Sequence, residues 1–391
     1  QTSSVSWYQR VYVQRAKKRI TGDEVRTAPF TFWFSLFWVT GILLGFQPEL
    51  KAAAPPVIEG TIDLTGWDAA SDGALGLNGD WGFFWNELVT PETAAARFST
   101  APTIPVPGGW NTLTTSDGVQ PTAHGHATYI VKVTGLNSLP PGEPLGMVLP
   151  PIATTFKAWW ITGPRADNIQ LISKRGIVDL KNPVPQWSPE IAKIPLRTSD
   201  EAFLLIQVVN KHFWLGGIFY PAVSIRDHAI LNRWFDGMSF LSMLVLGFIF
   251  MMALYHFGLF LLRRQDRASL LFSLFCAVMF IQSVSYRHWV TIIWLHEPTE
   301  FNFLLELFMM SIGAYFGTGL FVTFVSHLFP DEFPTWFSKG VWAICLTLIG
   351  LNLIMGPAQG SELTPVFLIL IGVVGIPLVY FLIRATLTKR L

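Results

Sequence analysis

The chain has 391 residues, which at about 150 residues per domain is enough for two to three units. Hydrophobic residues make up 51% and charged residues 14%, against about 25% charged in an average soluble domain. With 27 Lys+Arg against 26 Asp+Glu the formal charge is +1, so a disordered chain, a nucleic-acid binder and an ordinary cytosolic globule are all excluded.

Residues 1–28 form a basic tail, with Arg10, Arg15, Lys17, Lys18, Arg19 and Arg26 opposed only by Asp23 and Glu24. Such a tail fits either an anionic membrane surface or a protein partner. The apolar run Pro29–Phe46 follows, then Lys51-Ala-Ala-Ala-Pro-Pro. A basic start and an apolar core fit a signal peptide. We read residues 29–47 as an uncleaved signal anchor with its basic tail in the cytoplasm.

Residues 52–228 change character. Gly, Pro, Asn and Asp recur about every ten residues, and short β-rich runs lie between them: Ala127–Val133, Leu145–Leu149, Ala158–Thr162, Ala202–Val209 and Ala222–Ile225. This spacing predicts an antiparallel sandwich or jelly roll, with no long helical period in competition.

From about Asn232 five apolar segments follow: 235–262, 268–286, 302–326, 337–355 and 363–383. Each has about 20 residues, enough to cross a hydrocarbon core of about 30 Å. They form a transmembrane domain over 232–386, with 387–391 as a cytoplasmic end. Arg263, Arg264 and Arg267 fall in one joint, and Arg384, Lys389 and Arg390 at the end. With the tail inside, the parity of the crossings puts these cations inside as well and the β domain outside. The expected architecture is a signal-anchor helix, a periplasmic all-β sandwich and a five-helix bundle, multi-pass in a bacterial inner membrane. Cys276 and Cys345 both lie in the apolar runs, which argues against a disulfide framework or a thiolate metal site.

Two stretches carry a resemblance. One is Leu254-Tyr255-His256 continuing to Arg263-Arg264-Gln265-Asp266-Arg267. The other is Leu305-Glu306 with Phe324-Val325-Ser326-His327-Leu328-Phe329-Pro330-Asp331-Glu332. Together they resemble the membrane domain of the bacterial seven-transmembrane receptors with diverse intracellular signalling modules. In the outer domain, Gly79-Asp80-Trp81, Val106-Pro107-Gly108-Gly109-Trp110-Asn111, Gly125-His126-Ala127 and Val209-Asn210-Lys211-His212-Phe213-Trp214-Leu215-Gly216-Gly217 follow an order similar to galactose-binding-like jelly rolls. The resemblance implies a non-enzymatic receptor whose sandwich senses a ligand or partner outside. It also implies seven helices and an output module, of which five helices are read here. The alternative is an accessory subunit that stabilises a larger membrane complex.

Candidate functional residues were weighed against ordinary structural roles. Tryptophan faces stack on sugar rings, but sandwich cores also want large aromatics. Trp110, Trp187, His212 and Trp214 adjoin loop-like residues and are the candidate rim for a carbohydrate or small-molecule ligand. His124, His126, His212 and Asp117 lack metal-ligand spacing, so no metal is expected. No catalytic motif stands out, and Glu87 and Glu92 form no recognisable acid–base pair; neither an enzyme nor a cofactor is expected. Polar residues in the spans cost free energy. His256, Arg287 and Glu306 are the candidates for intramembrane coupling, either as a Glu306–Arg287 pair or as ordinary interhelical hydrogen bonds worth about 0.6 kcal/mol each. Gly313 and Gly317 make a Gly-x-x-x-Gly pattern for close helix packing, with Gly372 and Gly375 as a second such face. The implied partners are the lipid bilayer and other membrane proteins.

Overall fold

The structure, a computed structural model, describes residues 55–69, 71–139, 144–163, 166–195, 199–286 and 299–387. The basic tail, the expected signal anchor and Arg287 lie outside the described residues.

Eleven strands are described: β1 Thr61–Asp63, β2 Leu75–Gly76, β3 Gly79–Trp85, β4 Thr103–Val106, β5 Gly125–Thr134, β6 Leu145–Leu149, β7 Thr155–Thr162, β8 Asn168–Arg175, β9 Glu190–Lys193, β10 Ala202–Asn210 and β11 Ser224–Asp227. The larger sheet runs β4-β3-β5-β10-β7-β8, with β1 joining β5 in parallel, and the smaller runs β2-β11-β6-β9. Apolar side chains from both sheets, among them Tyr129, Val131, Leu204 and Ile206 from one and Met147, Leu149 and Ile225 from the other, share one core. The domain is a two-layer β sandwich.

Strand β10 shows why the sequence folds this way. It pairs antiparallel with β5 from Ala202↔Val133 to Asn210↔Gly125, and with β7 on its other side. Alternate residues Leu204, Ile206 and Val208 enter the main core. Phe203 and Leu205 point the other way into a second cluster with Ala94. Ala94 lies on α1, Pro91–Arg97, a short helix that covers the outer face of the larger sheet. So both faces of β10 are buried, which explains its unbroken apolar run. Gln207 is accommodated because its amide donates to the Val89 carbonyl at 2.8 Å.

Helix α1 was not expected, although Pro at its first turn, Glu92 near its start and Arg97 near its end are favourable placements. Strands β1, β2, β3, β4, β8 and β9 were also not expected. β3 contains Gly79 and Gly82, which weaken a strand pattern. At Gly82 a Cβ would lie 2.7 Å from Ile130 Cγ2, so glycine permits the close approach to β5. β8 is a largely exposed edge strand with little alternation.

Among the described residues five helices follow that are long and apolar enough to cross a membrane: α2 His228–Leu262, α3 Arg267–Tyr286, α4 Glu300–Leu328, α5 Thr335–Met355 and α6 Thr364–Leu387. The chain is a multi-pass membrane protein. The largest differences from the expected segments are at α2, which begins at His228 rather than 235, and at α6, which runs on to Leu387 rather than 383. Asp266 caps α3, accepting from the Ser269 N–H at 3.1 Å and the Ser269 hydroxyl at 2.7 Å. The acid in the Arg-Arg-Gln-Asp joint therefore has a local structural role. α2 has 35 residues, about 52 Å at 1.5 Å per residue. That exceeds a hydrocarbon core of about 30 Å.

Candidate functional site at the junction of sandwich and helices

Among the described residues the sandwich meets the helices at three places, and Trp187, His212 and Trp214 lie at the junction. The first contact is covalent. β11 ends at Asp227 and α2 begins at His228, with no loop between them. Asp227 is the helix cap, accepting from the Ile230 N–H at 2.8 Å. The His228 N–H donates to the Pro144 carbonyl at 2.9 Å. Leu231 is buried beside Gly146 of β6, where a Cβ would lie 3.0 Å from Leu231 Cδ1.

The second contact is the loop after β10. Asn210 is fully buried and folds this loop on itself. Its amide donates to the Ala123 carbonyl at 2.9 Å and the Phe213 carbonyl at 2.8 Å, while its Oδ1 accepts from the N–H groups of His212 and Phe213. Asn111 adds a clamp, donating to the Trp214 carbonyl and accepting from the Gly216 N–H, both at 3.1 Å. The folded loop presents Phe213 to Phe303 and Leu307 of α4 in one apolar cluster, with Trp187, Trp214, Leu215 and Phe219 packed around it. The ring of Trp187 is 4.5 Å from that of Phe213.

His212 sits at the edge of this cluster. It is buried, and its Nε2 is 3.1 Å from Oε1 of Glu300, the first residue of α4. Burial pushes the imidazole below its ordinary range; the Glu300 carboxylate opposes that shift without cancelling it. The ring is therefore neutral at neutral pH and donates its Nε2 proton to the acceptor-only carboxylate.

The third contact is Trp214, whose N–H donates to the Ser361 hydroxyl at 3.0 Å in the turn between α5 and α6. Ser361 is itself fully buried and donates to the Ala358 carbonyl at 2.6 Å. On the helix side, Asn352 of α5 is wholly buried against Gly360, where a Cβ would collide with its amide.

Trp110 requires a correction. It is not on a rim: it is fully buried in the main core, with its indole N–H donating to the Thr122 carbonyl at 2.8 Å. The two loop motifs that carried the resemblance in fact pack together. Gly216 and Gly217 leave the space that Trp110 fills, since a Cβ on either would meet its ring. Trp187, His212 and Trp214 come together, but against the helices rather than around an open cleft.

Within the helices, His256 places its ring edge-on to Phe272 of α3 at 4.6 Å. Glu306 is buried on α4; its expected partner Arg287 lies outside the described residues, so that pairing has no geometry here. Gly313 and Gly317 both face α3: a Cβ on them would lie 3.0 Å from Gln282 Cβ and 2.5 Å from Met279 Cε. The expected second face has no such neighbour among the described residues, where nothing lies within 4 Å of a Cβ on Gly372 or Gly375.

Glu87 is held by the Arg97 guanidinium in a two-pronged contact of 2.7 and 3.1 Å. That hydrogen bond keeps its carboxyl below the usual range. Among the described residues, no three His, Cys, Asp or Glu side chains stand together as a metal site.

Residues 238–390 match the family described as 7TM diverse intracellular signalling. The match covers the helical region and leaves the sandwich outside it. No curated protein matches the chain. Among solved structures, a β-glucuronidase of Faecalibacterium prausnitzii is 18% identical with a TM-score of 0.29, covering 39% of this chain and 31% of the other. A β-glucuronidase of Ruminococcus gnavus is 12% identical with a TM-score of 0.26, covering 39% and 27%. That of Bifidobacterium dentium, complexed with coumarin-3-O-glucuronide, is 15% identical with a TM-score of 0.28, covering 38% and 22%. The chain thus spans less than a third of the length of each.

Sequence reasoning missed Asn210, Asn111 and Ser361, which build the junction. Asn210 and Asn111 stood inside quoted motifs, where their Gly- and Trp-rich neighbours drew attention first.

Proposed function

We propose that this protein is a signalling receptor of the bacterial inner membrane. Its sandwich stands on the periplasmic side and reports a ligand or partner there to the helices. One observation carries the reading: β11 becomes α2 with no intervening residue. A tilt or twist of the smaller sheet must therefore displace the first membrane helix. Trp187, His212 and Trp214 are the coupling residues in this proposal. They hold the same sandwich on α4 and on the turn before α6, so the bundle senses a change in the sandwich relative to α2. The receptor-type family of the helical region supports the signalling role. The cationic Arg263, Arg264 and Arg267 lie beyond the far end of α2, which favours that side as the cytoplasm.

The test uses the full chain in lipid nanodiscs, spin-labelled at Gln265 and Asp331 in the two joints on the side away from the sandwich. A panel of soluble glycans and periplasmic small molecules is added, and the distance between labels is read. A ligand-dependent shift is expected, and three Gly-Ser residues inserted between Asp227 and His228 should abolish it. A shift that survives the insertion sinks the proposed route. Protease added to spheroplasts should cut the sandwich and spare the Arg263–Arg267 joint; the reverse would overturn the orientation. A stoichiometric set of membrane subunits that co-purifies with the chain would favour the accessory role instead.

A further inference from the structure

A hairpin tip near the outer end of α4 has a form that the sandwich core does not require. Residues 177–184 make a narrow loop closed by paired backbone bonds between Ile177 and Val184, at 2.9 and 3.2 Å. Asp179 Oδ1 accepts from the N–H groups of Lys181 and Asn182, both at 2.7 Å. The Lys211 ammonium donates to the tip carbonyls of Leu180 and Lys181 at 2.7 and 3.2 Å. These bonds hold the tip in one conformation, and that ordering costs conformational entropy. Yet the aliphatic side chains it carries are not packed away: Ile177 is 48% exposed and Leu180 49%.

Location indicates what covers them. Lys211, which holds the tip, precedes His212, and His212 contacts Glu300 at the start of α4. Phe301, the next residue of α4, is 72% exposed. Elsewhere in the same junction, Tyr220 is 59% exposed beside Phe219, which packs in the cluster with Phe213. α4 has 29 residues, about 43 Å, which exceeds a hydrocarbon core of about 30 Å and leaves length for the headgroup layers. Tyrosine is favoured at that depth because its ring is apolar and its hydroxyl is wet.

We infer that the sandwich is seated in the bilayer that its own helices cross, with Ile177, Leu180 and Tyr220 reaching the boundary between headgroups and acyl chains. The occupant is phospholipid, because the consecutive residues Lys211 and His212 tie the tip to the first residue of a membrane-spanning helix. The sandwich is then a membrane-resting domain, and its loops read the headgroup layer as well as the aqueous phase. This inference needs only the membrane spans and is independent of the sensing role proposed above.

The test places the full chain, as Leu180→Cys, in vesicles of equal parts phosphatidylethanolamine and phosphatidylglycerol. Cys276 and Cys345 are buried, so an environment-sensitive fluorophore goes to the new thiol. Leu171→Cys is the control, exposed on the same hairpin arm and about 13 Å further along β8 from its end at Arg175. Expected are a blue shift at position 180 and quenching by headgroup-borne nitroxide several-fold stronger than at position 171. Tyr220→Cys provides an independent second site should the first variant fold poorly, and should behave as position 180 does. Equal quenching of both loop labels by aqueous iodide, with none from the lipid nitroxide, would overturn the inference. Protection that appears only when a second protein co-purifies would overturn it too, in favour of a protein-binding patch.

Discussion

In the sandwich Trp81, Trp110 and Trp160 are wholly enclosed. In α5, Ile354 stands 84% exposed without any cost to a chain that lives in lipid. The two regions thus handle apolar surface in opposite ways. The sandwich faces water, so its aromatics must find partners inside; the indole N–H of Trp81 donates to the Leu77 carbonyl 2.8 Å away, whereas that of Trp160 is buried without an acceptor among the described residues. The helices face hydrocarbon, so leaving water no longer drives them together. Their cohesion comes from close fit at small residues and from a few polar contacts, such as the Trp342 N–H donating to the Thr323 hydroxyl at 2.7 Å.

This contrast can be broken by mutation. The largest effect belongs to Trp110→Ala, which empties a space shaped by Gly216 and Gly217; about 3–5 kcal/mol should be lost. Near-ultraviolet circular dichroism during denaturation would show it, and a loss under about 1 kcal/mol would mean that the core is not closed as described. Next comes Gly313→Leu, which forces a side chain against Gln282 of α3 and should cost about 1–3 kcal/mol. A lower cysteine cross-linking yield between α3 and α4 would report it, whereas an unchanged yield would deny that the two helices touch there.

A smaller effect is expected from pH at the junction. His212 has its affinity for protons lowered in the fold, chiefly by burial. Below its ordinary pKa of about 6.5 the unfolded chain binds a proton that the folded one resists, so stability is lost as pH falls through that window and on to the lowered value. Glu300 opposes the loss, while Lys211 and His124 add to it. Hydrogen exchange at Asn302 and Phe303, corrected for the intrinsic rate, should quicken on acidification, and His212→Gln should flatten that response. A response that persists in the variant would place the titrating group elsewhere. The smallest effect is Ile354→Ala, expected to stay within about 0.5 kcal/mol in detergent or lipid. A cost of several kcal/mol there would mean that α5 has a protein neighbour where lipid is drawn.

How much of this was legible depended on how local each cause was. The segment read as 268–286 is the helix Arg267–Tyr286, because an apolar run of that length has few alternatives to a span. Leu145–Leu149 matches β6 to the residue. Trp110 was misplaced because its neighbours look like loop, and only residues more than 100 positions later, Gly216 and Gly217, show that the ring goes inward. His212 and Glu300 are 88 positions apart, so no spacing rule could pair them. His212 was singled out as a ligand contact, and the fold instead sets it against a helix. α1 was missed because seven residues give too short a period to outweigh the strand signals around them.

The seamless passage from β11 into α2 has a consequence for angle. A helix that begins as the direct continuation of a strand inherits its azimuth from the sheet, whereas one hung on a loop is free to spin. One residue added at that point would rotate everything downstream by about 100° and push it along by about 1.5 Å. His256 would then swing away from Phe272, and α2 would present a different flank to α3. The sheet therefore dictates which side of the first span its neighbour meets, about eight turns of helix away.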